Sequence, residues 1–207
     1  MNIAIISSLK DKASINIKEN LVNNFNKLEE QFDNNDIYQC VIDGKNIKLY
    51  TINSDLIYAD DLDEKIDADL FIFISRHSAK EERKNLTVHV TGNFGKADLG
   101  GKEKTLCIAP SAYMKNILIE LNKNSQNSEF EATMEATHHG PFLEKSILFV
   151  EIGSSEEEWA DKKAGNIIAR SLISTLKNDS NKNNSKIDNN LINKNNNGMI
   201  NNKSMEK

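Results

Sequence analysis

The chain has 207 residues, of which 38% are hydrophobic and 28% charged, and its formal net charge is −5. This length is enough for one well-buried domain or at most two small ones, and an acidic protein is not expected to coat nucleic acid non-specifically. No apolar run approaches the roughly 18 residues of a membrane-spanning helix, and no secretory leader pattern is present. We therefore expect a soluble, cytoplasmic protein.

The composition changes sharply near the end of the chain. Residues 177–207 contain 12 Asn and 6 Lys and few large apolar side chains. Such a segment cannot bury enough apolar surface to offset the entropy that ordering it would cost. We predict a single α/β domain over residues 1–176 and a disordered Asn- and Lys-rich tail over residues 177–207.

The first part of the chain predicts a strand, a helix and a hairpin. Residues 2–7 form a short apolar run typical of a buried strand. Large apolar side chains recur at spacings of three and four over residues 14–32, which predicts one amphipathic helix. Residues 37–42 and 47–52 are two further apolar runs around Asp43-Gly44, a sequence that favours a hairpin turn.

The middle of the chain predicts two strands of different kinds. Residues 69–75 are apolar on both faces, which is typical of a central strand. Residues 86–91 alternate, with Leu86 and Val88 on one face and His89 on the other. Residues 105–108 are a further strand candidate. Ser111 is a plausible N-cap for a helix, which the polar loop over residues 122–128 would follow.

Residues 131–140 read E-A-T-M-E-A-T-H-H-G and are the most unusual stretch of the sequence. As a strand, this stretch would place Ala132 and Met134 on a packing face and the acids, threonines and His139 on the other. A core strand has no need of such a polar face, so we take it as a candidate site. Residues 147–152 are a last buried strand, and Ser155 with Glu158 forms a capping box for a final helix.

This order of elements predicts the fold class. Strands that alternate with helices, several of them apolar on both faces, indicate a three-layer α/β fold with a mixed, mostly parallel sheet and helices on both faces. Ligands of such sheets bind beyond the carboxyl ends of the strands. The predicted strand ends carry all four histidines of the chain and several charged groups, namely Arg76-His77, His89, His138-His139 and Glu151.

Four histidines near Glu135, Glu151 and Asp98 suggest a metal site, most naturally for zinc, which imidazole ligands suit. No linear zinc signature supports this, so structural or substrate-contacting roles stay open. The alternative for Glu151 is a buried acid paired with Arg76, and the alternative for His89 is a half-buried strand histidine. Serine-nucleophile and phosphate-loop motifs are not matched. Cys40 and Cys107 are expected to be buried free thiols.

Basic residues are concentrated over residues 76–104, where they outnumber the acids. This segment is either a solvated surface or a local patch that binds nucleic acid. Its glycines, from Gly92 to Gly101, either let the backbone approach a phosphate or ribose or form a loose surface loop.

Three segments together resemble the D-aminoacyl-tRNA deacylases of the archaeal and plant type. They are S-R-H at residues 75–77 with L-T-V-H-V-T-G-N at 86–93, E-A-T-H-H-G-P at 135–141, and V-E-I-G-S-S-E-E-E-W at 150–159. The resemblance extends over about residues 1–176, includes D-K-A-S at 11–14, and excludes the tail.

The resemblance implies an enzyme that hydrolyses the ester bond between a D-amino acid and tRNA. It also implies two zinc ions per subunit and a fold akin to peptidyl-tRNA hydrolase and nucleoside phosphorylases. The candidate catalytic residues are Glu135, Thr137, His138 and His139. The candidate metal ligands are His77, His89, His138, His139 and Glu151. The candidate tRNA-binding residues are Arg76, Lys80, Asn93, Lys96 and Lys102.

Two other functions are compatible with the sequence. A peptidyl-tRNA hydrolase-like enzyme would cleave N-blocked aminoacyl-tRNA regardless of chirality. A non-catalytic tRNA-binding module would bind tRNA without turnover, although the acidic body of the chain fits it poorly. We expect a monomer, because no large apolar interface is evident.

Overall fold

A mixed β-sheet is the centre of the structure, a computed structural model that describes residues 1–80 and 83–178. The strands are β1 (Asn2–Ser8), β2 (Asn26–Phe32), β3 (Asn35–Ile42), β4 (Lys45–Ile52), β5 (Leu70–Arg76), β6 (Asn85–His89), β7 (Gly92–Asn93), β8 (Thr105–Leu106), β9 (Glu131–Met134) and β10 (Ser146–Gly153). The α-helices are α1 (Lys12–Leu21), α2 (Leu62–Lys65), α3 (Ser111–Ser125), α4 (Glu156–Ala160) and α5 (Lys162–Asn178).

Eight strands form the main sheet in the order β2-β3-β4-β1-β5-β10-β6-β9. Strands β4, β1, β5 and β10 run parallel to one another, and β6 runs parallel to β9. The pairs β2–β3, β3–β4 and β10–β6 are antiparallel. The predicted mixed, mostly parallel sheet is therefore confirmed.

The central strands are buried because both of their faces are apolar. On one side of the sheet, Ile5, Ile72 and Val150 pack beneath α1, α3 and α5. On the other side, the stacked rings of Phe73 and Phe149, with centroids 4.8 Å apart, pack beneath α2 and neighbouring connections. Since alternate residues of a strand point to opposite faces, this arrangement yields the three predicted layers.

The predicted helix over residues 14–32 is wrong in its second half. Helix α1 ends at Leu21, a 3₁₀ turn covers Val22–Asn24, and Asn26–Phe32 is the edge strand β2. Leu28 and Phe32 are four residues apart, which places them on one face of a helix but also on one face of a strand. Their spacing therefore does not distinguish the two structures.

Other boundaries also differ from the predictions. Only Thr105–Leu106 of the predicted strand over residues 105–108 is regular, and it pairs with β7 outside the main sheet. Helix α3 continues to Ser125, into the predicted loop. The capping box is present at Ser155 and Glu158, but it begins the short α4, which ends before Asp161, and α5 follows.

The hairpin between β3 and β4 is confirmed. Asp43 and Gly44 have φ angles of 52° and 71°, the left-handed conformation that a two-residue hairpin turn requires. Of the cysteines, Cys107 is buried and Cys40 partly buried, and both are free thiols.

The compact unit extends from Met1 to Lys177. Apart from Lys177 and Asn178, which end α5, the predicted tail lies outside the described residues. Within residues 1–80 and 83–178, no helix is both long and apolar enough to cross a membrane.

Candidate functional site

The candidate site lies on the face of the sheet formed by β5, β10 and β6. In the strand register, Glu151 of β10 is paired with Ser75 on one side and with Thr87 on the other, and Phe149 is paired with His89. Strand β6 runs antiparallel to β10, so its carboxyl end is not at the same edge of the sheet as those of β5 and β10. The prediction of one shared edge is wrong in this respect: His89 reaches Glu151 across the face of the sheet.

The stretch that the sequence singled out is only partly a strand. Strand β9 ends at Met134, whose side chain is 54% exposed instead of forming a packing face. Beyond it, the chain continues alongside β6: the Glu135 N–H donates to the Val88 carbonyl, and His138 forms an isolated bridge with Thr91. These bonds bring Glu135 and the histidine pair over the face of the sheet that carries Glu151.

Gly140 fixes the position of the histidine pair. Its N–H donates to the Leu99 carbonyl oxygen. A Cβ atom at Gly140 would lie 2.3 Å from the Gly101 nitrogen and 2.5 Å from the Ile57 carbonyl oxygen. Three chain segments therefore cross at this point, where there is no space for a side chain.

Replacing Gly140 with alanine should lower the free energy of unfolding by about 1–3 kcal/mol, because the added methyl meets backbone atoms that cannot rotate away. Urea unfolding measures this. The matched control is Gly95→Ala, since a Cβ at Gly95 meets nothing within 4 Å. Equal stability of the two variants would contradict the close backbone contacts described at Gly140.

His89, His138 and His139 form an imidazole cluster. Each offers a ring nitrogen, and these atoms lie within 4.8 Å of one another. The centroid of the His89 ring lies 4.4 Å from that of His138 and 4.9 Å from that of His139. His89 is fully buried, not half-buried as the sequence allowed, and its ring is stacked on Phe149.

The three imidazoles share one tautomer. The Nδ1 atoms of His89, His138 and His139 lie 3.2, 2.8 and 2.5 Å from the carbonyl oxygens of Val90, Ala136 and Gly140 respectively. A carbonyl oxygen only accepts, so each Nδ1 carries the proton, and the Nε2 lone pair is left for another partner. The Nε2 of His89 is buried without a hydrogen-bond partner among the described residues.

His77, Glu135 and Glu151 form a carboxylate cluster beside the imidazoles. His77 Nδ1 lies 3.1 Å from Glu135 Oε1 and 3.6 Å from Glu151 Oε2. Glu151 is buried and also accepts from the Ser75 hydroxyl at 2.5 Å. The two clusters are joined, because His89 Nε2 lies 3.5 Å from Glu151 and His138 Nε2 lies 3.8 Å from Glu135.

Charge pairing sets the protonation of these groups. Hydrogen bonds donated by His77 to the carboxylates of Glu135 and Glu151 raise the pKa of His77 to about 10. Burial would raise the pKa of Glu151, but His77 and His89 outweigh it and hold that pKa well below its ordinary value. Burial, together with the neighbouring His89, lowers the pKa of His139 to about 4, so that this imidazole is neutral at physiological pH.

The stabilising effect of His77 should depend on pH in the metal-free protein. Its pKa is raised from 6.5 to about 10 on folding, so its contribution is complete below about pH 6.5 and is lost as the pH rises toward 10. The difference in unfolding free energy between wild type and His77→Gln should therefore shrink over this window. Urea unfolding of both proteins at several pH values measures it, and a constant difference would contradict the assignment.

The clusters open into a cavity of about 390 Å³. His77, His138, His139 and Glu151 line it, with Phe149 beneath them. The other walls come from the N-terminal end of α1, the end of β5, the connections before and after β5 and the connection between β7 and β8, which supply Asp11, Asp55, Leu56, Ile57, Tyr58, Arg76, Ser78 and Leu99. The cavity therefore combines imidazole and carboxylate groups with a mouth large enough for a small acyl group and its ester partner.

The remaining predicted residues lie in different environments. Thr137 is half-buried and does not line the cavity. Asn93 is buried, and its amide donates to the carbonyls of Gly100 and Lys102, so it holds its own loop together. Arg76 lies at the cavity mouth, and its guanidinium is 5.3 Å from the Trp159 ring, so the proposed pairing with Glu151 is wrong. Lys80, Lys96, Asp98 and Lys102 are exposed.

The roles of several site residues had no signal in the sequence, although Ser75, Asp11 and Trp159 lie in segments that carry the family resemblance. Phe149 is one of many apolar residues in its strand, and Ser75 is a serine at a strand end. Trp159 donates from Nε1 to the His77 carbonyl oxygen at 2.9 Å. Asp11 caps α1 by accepting from the Ser14 N–H, and it also accepts from the Arg76 N–H. Only their positions in the fold show that Trp159 and Asp11 hold the segment around Arg76 and His77.

Comparison with solved structures shows the class of fold. The 5′-methylthioadenosine/S-adenosylhomocysteine nucleosidase of Campylobacter jejuni is 14% identical with a TM-score of 0.53, over 86% of this chain and 99% of that one. The native futalosine hydrolase of Helicobacter pylori is 10% identical with a TM-score of 0.56, over 85% and 97%. The chain is thus an α/β protein with the three-layer fold of these nucleosidases and hydrolases, and its site lies on the face of the central sheet.

Sequence relatives identify the family. The model of the D-aminoacyl-tRNA deacylase family matches residues 64–190. The D-aminoacyl-tRNA deacylases of Pyrococcus furiosus and Archaeoglobus fulgidus are 42% and 40% identical over 84% of this chain. A crystal structure described as a conserved protein of unknown function is 39% identical with a TM-score of 0.74, over 85% of this chain and 63% of that one. The chain belongs to the D-aminoacyl-tRNA deacylase family.

The chain spans only part of the length of these relatives. It covers 66% of the Pyrococcus furiosus protein and 63% of the Archaeoglobus fulgidus protein.

Proposed function

We propose that this chain hydrolyses the ester bond of D-aminoacyl-tRNA and releases the free D-amino acid and tRNA. The observation that carries the proposal is the convergence of four histidines and two glutamates in two adjoining clusters, which open into one cavity through His77, His138, His139 and Glu151, in a chain that belongs to this family. We assign the activity to the α/β domain over residues 1–176.

The residues present fit zinc as the metal. In His89, His138 and His139 each Nδ1 is held by a backbone carbonyl, which leaves each Nε2 to face a metal ion, as is usual for metal-bound histidines. The buried Nε2 of His89 has no hydrogen-bond partner among the described residues and lies 3.5 Å from Glu151, so a cation held by both residues would satisfy it. The two clusters support the family's expectation of two ions per subunit. Bound zinc lowers the pKa of a coordinated water to about 7 and polarises a carbonyl.

The chain's own residues position the ester and move protons. His138 and Glu151 face the cavity, so the ester carbonyl bound there lies within reach of both. Glu135 has its pKa held low by His77 despite burial, and it is therefore ionised and able to accept a proton at neutral pH. Phe149 closes the floor beneath His89 and His139 and excludes water from below.

The exposed cations around the mouth are suited to the tRNA. Arg76 is held over Trp159 at the cavity rim, and Lys80, Lys96 and Lys102 are exposed in nearby connections. Cations in such positions bind phosphates without reading sequence. Asn93 and Thr137 do not contact the substrate. Asn93 supports tRNA binding by maintaining the shape of its loop, and Thr137 supports the position of His138.

The test of the proposed function compares D-tyrosyl-tRNA with L-tyrosyl-tRNA. We expect release of tyrosine from the D-ester and much slower release from the L-ester. The measurement is the loss over time of acid-precipitable, tRNA-bound tyrosine label. Equal rates would remove the claim of chirality. Hydrolysis of neither ester would remove the assignment, and cleavage of N-blocked L-aminoacyl-tRNA would favour a peptidyl-tRNA hydrolase.

Chelation tests the zinc proposal separately. Dialysis against a chelator should abolish hydrolysis, because it removes the ion that the imidazoles would hold and that would activate the water. Added Zn²⁺ should restore hydrolysis. Metal content measured by mass spectrometry should reach two zinc ions per chain after reconstitution. Full activity in a demonstrably metal-free protein would leave an acid–base mechanism by His138 and the two glutamates.

A further inference from the structure

A second cavity, of about 370 Å³, adjoins the first across a single aromatic ring. Tyr58 lines both cavities, and its side chain is 54% exposed although it is large and mostly apolar. A cavity of this size falls within the range of small-ligand sites.

The ring of Tyr58 is held in place by backbone. A Cβ atom on Gly100 would lie 3.1 Å from Cδ1 of Tyr58 and 1.9 Å from the carbonyl oxygen of Ile57. The Gly100 segment is in turn held against Gly140, beside the histidine pair. The orientation of this ring is therefore tied to the segment that carries His139.

The lining of the second cavity combines apolar walls with polar groups at its rim. Phe32 supplies apolar surface together with the largely buried Ile52 and Leu62, while Asp33, Asp60 and Lys65 supply charge. One oxygen of Asp60 accepts from the Phe142 N–H, which leaves the other for a ligand donor. Lys65 is exposed and forms no ion pair within residues 1–80 and 83–178.

We propose that the second cavity is a nucleobase subsite, and that it holds the nucleotide preceding the terminal adenosine of the tRNA, with its base stacked on Tyr58. This proposal rests on the proposed function, which places the ester and the terminal nucleoside in the first cavity. The preceding base is then placed in the second cavity, which Tyr58 also lines. Aromatic rings and nearby cations are the usual means by which proteins hold single-stranded ends.

The charged groups of the lining bear on the orientation of this occupant. A carboxylate such as Asp60 accepts from the exocyclic amino group of a base, whereas it repels a phosphate. The phosphate is instead placed toward Lys65 and toward Lys102, whose Nζ lies 3.9 Å from the Phe142 ring centroid. The ring of Tyr58, the carboxylates of Asp33 and Asp60 and the cation of Lys65 are thus placed for the face, the edge and the backbone of one nucleotide.

The test uses an acceptor-stem hairpin RNA that carries no amino acid and has 2-aminopurine at the second-to-last position. Wild type should quench its fluorescence. Tyr58→Leu, which keeps apolar bulk but lacks an aromatic face, should raise the Kd about tenfold and abolish the quenching. Tyr58→Phe should bind like wild type, and Lys65→Ala should weaken binding with a smaller salt dependence than wild type.

Controls separate the possible outcomes. Val41→Ala removes a side chain that is 68% exposed on β3 and should not change the Kd. A hairpin that lacks its last two nucleotides should bind wild type and Tyr58→Leu equally weakly. Equal binding of the full hairpin by wild type and Tyr58→Leu would overturn the subsite, as would a dimer in sedimentation that Tyr58→Leu converts to a monomer. Because the RNA carries no ester, these results do not depend on whether wild type hydrolyses D-tyrosyl-tRNA.

Discussion

Replacing His138 with alanine should lower the rate of D-aminoacyl-tRNA hydrolysis by about 10²- to 10⁴-fold, the usual effect of removing a positioned proton-transfer or ligand group. Its ring lines the cavity and lies 4.4 Å, centroid to centroid, from both His89 and His139. The side chain is 42% exposed, so its removal should hardly change stability. Single-turnover hydrolysis measures the rate, and metal analysis should show reduced zinc binding.

Met134→Ala is the matched control for this variant. Met134 lies four residues earlier in the same segment and is 54% exposed, away from the cavity. Its replacement should leave the rate within about twofold of wild type, in line with the small effects of surface substitutions. If His138→Ala also kept activity within tenfold of wild type, the imidazole cluster would not be part of the reaction.

Phe149→Ala should lower the free energy of unfolding by about 3–5 kcal/mol, the range for truncating a buried phenylalanine. The side chain is fully buried and stacks on Phe73 at 4.8 Å, and the rings of His89 and His139 lie 5.4 and 5.1 Å from it. Its loss would therefore leave a cavity directly beneath the imidazole cluster. Urea unfolding gives the energy, and zinc affinity should fall in the variant that remains folded.

Phe94→Ala makes the same chemical change at a side chain that is 74% exposed. Because Phe94 has little packing to lose, its replacement should alter the unfolding energy by less than about 0.5 kcal/mol. A loss at Phe149 as small as that at Phe94 would contradict the described floor of the site.

The elements with strong local signals were predictable. Strand β5 is an unbroken apolar run, the hairpin has Asp43-Gly44 at its turn, and the box of Ser155 and Glu158 begins a helix. The region around residues 22–32 was not predictable, because apolar residues four apart suit one face of a helix and one face of a strand equally. Tertiary pairing with β3 decides it in favour of a strand.

The chemical groups of the site were visible in the sequence, but their arrangement was not. The four histidines, Glu135 and Glu151 were identified as site candidates because they are polar residues at or near predicted strand ends. The antiparallel pairing of β6 with β10, the crossing at Gly140 and the shared tautomer of the imidazoles depend on contacts between residues far apart in the chain. No local pattern encodes such contacts. For the same reason, the roles of Trp159 and Asp11 emerged only from the fold.

Because the site lies on the face of the sheet, its chemical groups and its substrate-contacting walls can change independently. Glu151 and His89 sit on strands, whose separation is set by the ladder of backbone hydrogen bonds at about 4.8 Å per step, whereas Tyr58 and Leu99 come from connections. Insertions or substitutions in those connections can reshape what enters the cavity without altering distances between the strand-borne groups. Laboratory evolution toward new acyl esters should therefore succeed with libraries in the connections and fail with libraries in β6 and β10.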